Sequence, residues 1–162
     1  MIFVHCTEKD RKALKAITVD PAQIEDDGTD YTDRKIKKPW GYEIEKYRDQ
    51  NLSIWFLHIH RDQETSMHCH LNKTTLLIVI GGKATLSTLS RNIEIEEGEI
   101  VIIEKGAFHR TTSNGEAVMM YELESPPNKR DLVRLEDSYG RGQGYEKIEK
   151  EISPVFSENE GT

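Results

Sequence analysis

Residues 66–89 read SMHCHLNKTTLLIVIGGKATLSTL. The apolar run Leu76-Leu77-Ile78-Val79-Ile80 is the longest in the chain. It has the length of one buried strand and falls far short of the roughly 20 residues a membrane helix needs. Gly81-Gly82 ends it, and β-branched residues resume at once. Outward from this core, segments of the same kind predict strands at Tyr42–Tyr47, Leu52–His60, Thr75–Ile80, Ala84–Ser90, Asn92–Ile95, Ile100–Ile103, His109–Thr112 and Ala117–Leu123. Gly81-Gly82, Gly98 and Gly106 punctuate them, and Asn114-Gly115 reads as a hairpin turn. The glutamates around Glu97-Gly98 read as a second, solvated hairpin. Short strands at regular spacing with glycine turns predict an all-β barrel or sandwich.

The flanks differ. Residues 1–37 read as an N-terminal extension, with a helix expected at Lys9–Ile17 and stopped at Asp20-Pro21. Glu25–Asp30 is an acidic, turn-rich loop without the regular ligand spacing of a calcium site. Residues 38–141 are the expected barrel and 142–162 a tail, with one helical turn at Glu146–Ile152 ahead of Pro154.

The 162 residues suit one domain, and 36% hydrophobic with 31% charged residues suits a globular one. A net charge of −7 argues against nucleic-acid binding, which needs a basic face. Cys6 and Cys69 make no disulfide framework, and Met1–Val4 has neither basic flank nor long apolar core. A cytoplasmic protein with neither nucleic-acid nor membrane partners is expected.

His68-Cys69-His70 carries the chemistry. On a strand, alternate side chains share a face, so the two imidazoles point together and Cys69 points away as packing. Two such imidazoles can grip one divalent ion. His58 and His60 also share a face, which would make His60 a candidate proton carrier if that face lined the barrel.

The pattern around these residues resembles the two signature motifs of the cupin family. The first is His-x-His, then Glu, then Gly; here His68-Cys69-His70 is followed by Thr74 in the Glu place and by Gly81. The second is Gly, then Pro-x-Gly-x-x-His, then Asn; here Gly98, Glu104-Lys105-Gly106, His109 and Ser113 stand at those positions. The resemblance implies a double-stranded β-helix, a jelly-roll-like barrel with short terminal extensions, in which His68, His70 and His109 converge on one divalent metal ion. Zn, Mn, Ni and Fe all suit such ligands.

A narrower resemblance lies at the ends. Lys38-Pro39-Trp40-Gly41 resembles the opening of the C-terminal cupin domain of type II phosphomannose isomerases. Asp131-Leu132-Val133-Arg134-Leu135-Glu136-Asp137-Ser138-Tyr139-Gly140-Arg141 resembles its close. The nucleotidyltransferase domain that usually precedes this module is absent from these residues, so a stand-alone relative is expected. The resemblance implies an aldose–ketose isomerase acting on a sugar or sugar phosphate, and a homodimer. Arg134 and Arg141 are then the candidate phosphate-binding residues, since guanidinium matches phosphate geometry. Tyr139 joins His60 as a catalytic candidate, and Trp40 is expected as a core plug. An Fe²⁺ dioxygenase and a non-catalytic sugar-binding module are the alternatives.

Overall fold

The computed structural model describes residues 1–145 and 152–154. The strands are β1 (Ile2–Val4), β2 (Arg34–Lys38), β3 (Gly41–Arg48), β4 (Ser53–Ile59), β5 (Met67–Cys69), β6 (Thr74–Gly81) and β7 (Lys83–Thr88). They continue as β8 (Asn92–Glu96), β9 (Ile100–Ile103), β10 (His109–Ser113), β11 (Val118–Ser125), β12 (Val133–Glu136), β13 (Gly144–Tyr145) and β14 (Ile152–Pro154). One helix, α1 (Glu8–Ala16), follows β1. All eight expected strands are present within a residue or two, and so is the helix. The turn expected at Glu146–Ile152 lies, but for Ile152, outside the described residues.

Two sheets face each other. The larger runs β1–β9–β6–β11–β4–β3–β2–β14 and the smaller β13–β12–β5–β10–β7–β8. Their inner faces bury Trp55, Leu57, Ile59, Leu77, Val79, Leu86 and Val101 in the main core. Each residue comes from alternate positions of its strand, as period-two patterning requires.

The glycine turns do a different job from the one expected. Asn114-Gly115 does not close a hairpin: β10 pairs with β5 and β7, whereas β11 pairs with β4 and β6. The turn carries the chain from one sheet to the other, and the Glu97-Gly98 turn between β8 and β9 does likewise. A turn dipeptide fixes a local reversal; it does not choose the sheet the next strand joins. Gly41 has a separate reason. A Cβ there would stand 1.9 Å from the His58 carbonyl oxygen, so this close crossing of β3 over β4 admits glycine alone.

The N-terminal extension takes part in the barrel. β1 runs parallel to β9 at the edge of the larger sheet, and β2 pairs with β3. α1 starts from a Thr7 cap whose side chain accepts from the Asp10 amide, while the Asp10 carboxylate accepts from the Thr7 amide at 2.7 Å. Its Ala13 and Leu14, with Ile17, cover Met67, Cys69, Phe108 and Val133 on the outer side of the smaller sheet. Among the described residues no helix is long and apolar enough to cross a membrane.

Candidate metal centre

β5 and β10 lie side by side with His109 opposite His68. His70 follows β5 on the same face, so the two motifs meet in one rung of the smaller sheet. The three rings sit with centroids 4.5–5.3 Å apart. One ring nitrogen of each lies within 4.8 Å of the others, and all three side chains are buried.

Their tautomers follow from their partners. Each Nδ1 faces a backbone carbonyl: Ser66 at 2.8 Å for His68, Asp131 at 2.6 Å for His70 and Ala107 at 3.0 Å for His109. A carbonyl only accepts, so Nδ1 carries the proton and Nε2 keeps its lone pair. Nε2 of His70 is buried with no hydrogen-bond partner. Burial lowers His109 to about 4, and burial with Lys73 beside it holds His70 well below the usual histidine range. Neutral imidazoles oriented by carbonyls, with their ring nitrogens converging, are what a divalent ion requires.

The cavity in front of the histidines encloses about 50 Å³. That is room for roughly four waters on a scale of about 10–15 Å³ each. Ionic side chains share its walls with Trp40, Leu57, Leu77 and Met120. Lys73 Nζ stands 2.5 Å from Glu124 Oε1 and 2.9 Å from the Asn128 carbonyl. Glu43 pairs with Lys129, and with Lys38 at 3.4 Å. Lys129 also lies 4.1 Å over the Trp55 ring. Glu122 completes the wall; burial, and then the Glu124 carboxylate beside it, raise its carboxyl above the ordinary range.

The sequence-derived candidates divide. His68, His70 and His109 come together. Arg141 lines the cavity, with its guanidinium held by Asp137 at 2.7 Å and 3.2 Å. Burial raises the Asp137 carboxyl, but these bonds outweigh it and hold it below its usual value. Arg134 is buried and sits opposite His68 in the β12–β5 register. Trp40 is both plug and lining, packed in the main core at the cavity wall.

The two catalytic candidates do not reach this cavity. His60 continues the outward-facing parity of β4 and is exposed, its ring 5.2 Å from His58 and 6.3 Å from Tyr42. The Tyr139 hydroxyl donates to Gln63 at 2.9 Å and accepts from the Glu64 amide at 3.1 Å. Thr74 does not occupy the Glu place either. It points outward and is exposed, whereas Thr75 is buried on the inner face with its Oγ1 unpartnered. Gly81 and Gly82 adjoin, so spacing alone allowed either register, and only the pleat of β6 decides it. Cys69 packs as expected, burial raising its thiol far above the usual range.

Sequence reasoning missed the residues that hold the site. Asp131 is fully buried, and its carboxylate accepts from the Leu71, Asn72 and Lys73 amides at 2.8, 2.8 and 3.1 Å. Asp10 accepts from the Phe108 amide at 2.9 Å, tying α1 to the residue before His109. Glu122 and Glu124 were hidden as well. The alternation Val118, Met120, Glu122, Glu124 along β11 was the available signal, because it puts two carboxylates on a face the first two residues mark as core.

Comparison with known proteins gives the fold and the family. Among solved structures the fold is similar to KdgF from Halomonas sp. (TM-score 0.56, 13% identity, covering 60% of this chain and 88% of that one). It is similar to a conserved protein with a double-stranded β-helix domain from Klebsiella pneumoniae (TM-score 0.54, 16% identity, 77% and 95% covered). It is also similar to the Lactobacillus farciminis oxalate decarboxylase formate complex (TM-score 0.56, 16% identity), whose chain it covers to only 33% against 62% of its own. At these identities the likeness is one of fold. A search of curated proteins finds no match. The family model described as the mannose-6-phosphate isomerase C-terminal domain matches residues 25–137. Spanning both histidine motifs and most of the closing segment, that match makes the chain a member of the mannose-6-phosphate isomerase C-terminal family, built on the cupin double-stranded β-helix.

Proposed function

We propose that the chain binds one divalent metal ion through His68, His70 and His109 and acts on a sugar or sugar phosphate, most simply as an aldose–ketose isomerase of the mannose 6-phosphate type. One observation carries the reading: three buried imidazoles, tautomerically fixed by carbonyls, present Nε2 to a cavity partly walled by ionic side chains. A bound ion supplies Lewis acidity at a carbonyl and its neighbouring hydroxyl. The cavity is small, about 50 Å³, so in this reading the reacting end of a hexose phosphate faces the histidines and the phosphate points outward. In this reading Arg141, which lines the cavity, meets the phosphate, with Arg134, opposite His68 on β12, as the second candidate. Glu124, held by Lys73, is the carboxylate positioned to move a proton between adjacent carbons.

The same reading makes the protein a homodimer. Phe56, Tyr121, Ile78, Met119, Tyr42 and His58 occupy the outer face of the larger sheet, an aromatic and aliphatic surface suited to a second copy. Light scattering of the purified protein gives the mass directly, and a monomer sinks this part.

Elemental analysis and a coupled assay test the function. About one ion per chain is expected, lost in a His68→Ala/His109→Ala double variant, with interconversion of mannose 6-phosphate and fructose 6-phosphate by the loaded wild type. Metal binding without turnover of any sugar phosphate overturns the isomerase and leaves a sugar-binding module. No ion in the wild type after loading overturns the metal reading itself.

A further inference from the structure

We infer that Glu122 supplies the negative charge of the metal centre, taking over from β11 the part of the glutamate that is absent from β6. The inference rests on the three-histidine reading above. In the signature motif the carboxylate follows His-x-His on the next strand. Here the inward residue of that strand is Thr75, a neutral hydroxyl and a weak ligand, and the next inward residue is Leu77. The neighbours of these two positions across the β6–β11 ladder are Glu124 and Glu122. Residues opposite each other on adjacent strands share a face. The carboxylates are therefore displaced by one strand and remain on the cavity side.

Two observations select Glu122 and point it at a ligand. A carboxylate oxygen of Glu122, one of Glu124 and a ring nitrogen of His70 all lie within 4.8 Å of one another. His70 is only 4% exposed, its Nε2 has no hydrogen-bond partner, and it is the residue shared by this acidic group and the three-histidine group. Glu124 is already neutralised by Lys73 at 2.5 Å. Glu122 makes no hydrogen bond or ion pair with any described residue. Lys73 and Lys129 act on Glu122 only at longer range and do not offset its burial, and three neutral imidazoles lack an anion. One divalent ion satisfies both.

A carboxylate adds most to the binding of harder ions, whereas imidazoles alone suffice for nickel. That difference gives the test a built-in control. Calorimetric titration of the full chain with Mn²⁺ and with Ni²⁺ is compared for wild type, Glu122→Gln and His109→Ala. The expected result is Mn²⁺ affinity at least tenfold lower in E122Q, with Ni²⁺ still bound at about one per chain and lost in H109A. Mn²⁺ affinity in E122Q equal to wild type overturns the inference and leaves the histidine site standing. Absence of binding of either ion by wild type overturns the histidine reading, and this inference with it. Should E122Q fail to fold, Glu122→Met removes the same charge and is read the same way.

Discussion

Asp131 opens the segment that closes the barrel, and its removal tests whether that segment builds the metal centre. Its carboxylate takes three backbone amides of the loop between β5 and β6, and its own carbonyl receives His70 Nδ1 at 2.6 Å. A hydrogen bond to a charged group is worth about 1.5–3 kcal/mol, and a buried donor left unmet costs about 1–3 kcal/mol. The Asn72 amide belongs to an exposed residue and can turn to water, while Lys73 is buried and Leu71 half-buried. Counting two amides in full, Asp131→Ala loses about 3–5 kcal/mol. In a chain of this size that lowers the melting temperature by roughly 10 °C. Asp131→Asn keeps an acceptor for one edge of the loop and turns a donor toward the other, so about half the loss is expected. Because the loop carries His70, ion affinity should fall at least tenfold in both variants, as it does when the partners of a liganding histidine are disturbed. Urea melts of the metal-free protein and a nickel titration read the two quantities. A D131A midpoint corresponding to less than about 1 kcal/mol, or an unchanged nickel affinity, would refute the claim that this carboxylate holds the ligand loop in place.

Two further outcomes follow from the core. Gly41→Ala sets a methyl group 1.9 Å from the His58 carbonyl oxygen at a φ of 154°. More than about 3 kcal/mol should be lost, whereas Gly98→Ala, at a φ of 90° with open space around it, should lose only about 1–2 kcal/mol; equal melting temperatures for the two variants would sink the steric account. Glu45 is fully buried, and burial, opposed by Arg48, pushes its carboxyl from 4.5 up to about 6. The folded state therefore binds the proton more tightly than the unfolded chain. The stability this contributes is full below about pH 4.5 and lost as pH rises through about 6. Glu45→Gln should gain about 2 kcal/mol relative to wild type between pH 4.5 and 7.5 in urea melts, and a pH-independent difference would contradict this.

What the sequence revealed and what it hid have one physical source. Strand position is a local property, written in β-branched runs such as Leu76–Ile80 and in their glycine stops, so the barrel strands were legible. So was the shared face of His68 and His70, because parity along one strand is also local. Pairing between strands is not local. Nothing near Asn114-Gly115 says that β10 and β11 belong to different sheets. Nothing near His60 says which side of β4 faces the core; that is settled by Trp55 and Leu57 meeting Glu122 and Met120 across the ladder. Buried charges were the least legible. Lys73, Glu43 and Glu124 look like surface residues in isolation, and only pairing, Lys73 with Glu124 and Glu43 with Lys129, makes their burial tolerable.

The closing segment takes on a different meaning in this light. Read for chemistry, Asp131–Arg141 offered two arginines for a phosphate. In the folded chain its first task is mechanical. Asp131 clamps the loop that follows the histidine pair and orients His70 through its carbonyl. Arg134 lies opposite His68 across β12–β5, and Val133 seals the outer side of the same rung beneath α1. Asp137 then fixes Arg141 with two guanidinium bonds and a bond from the Arg141 amide at 2.8 Å, so this cavity-lining arginine is held before any ligand arrives. A guanidinium fixed in advance gives up little conformational entropy on meeting an anion. The length of the segment follows from this double duty. His68 and His109 take carbonyls two residues before them, whereas His70 takes that of Asp131, so the closing segment orients the one ring of the three that has no local partner. One continuous stretch of chain thus holds both His70 and Arg141, so a substitution at Asp131 should be felt at the cavity lining as well as in the loop after β5.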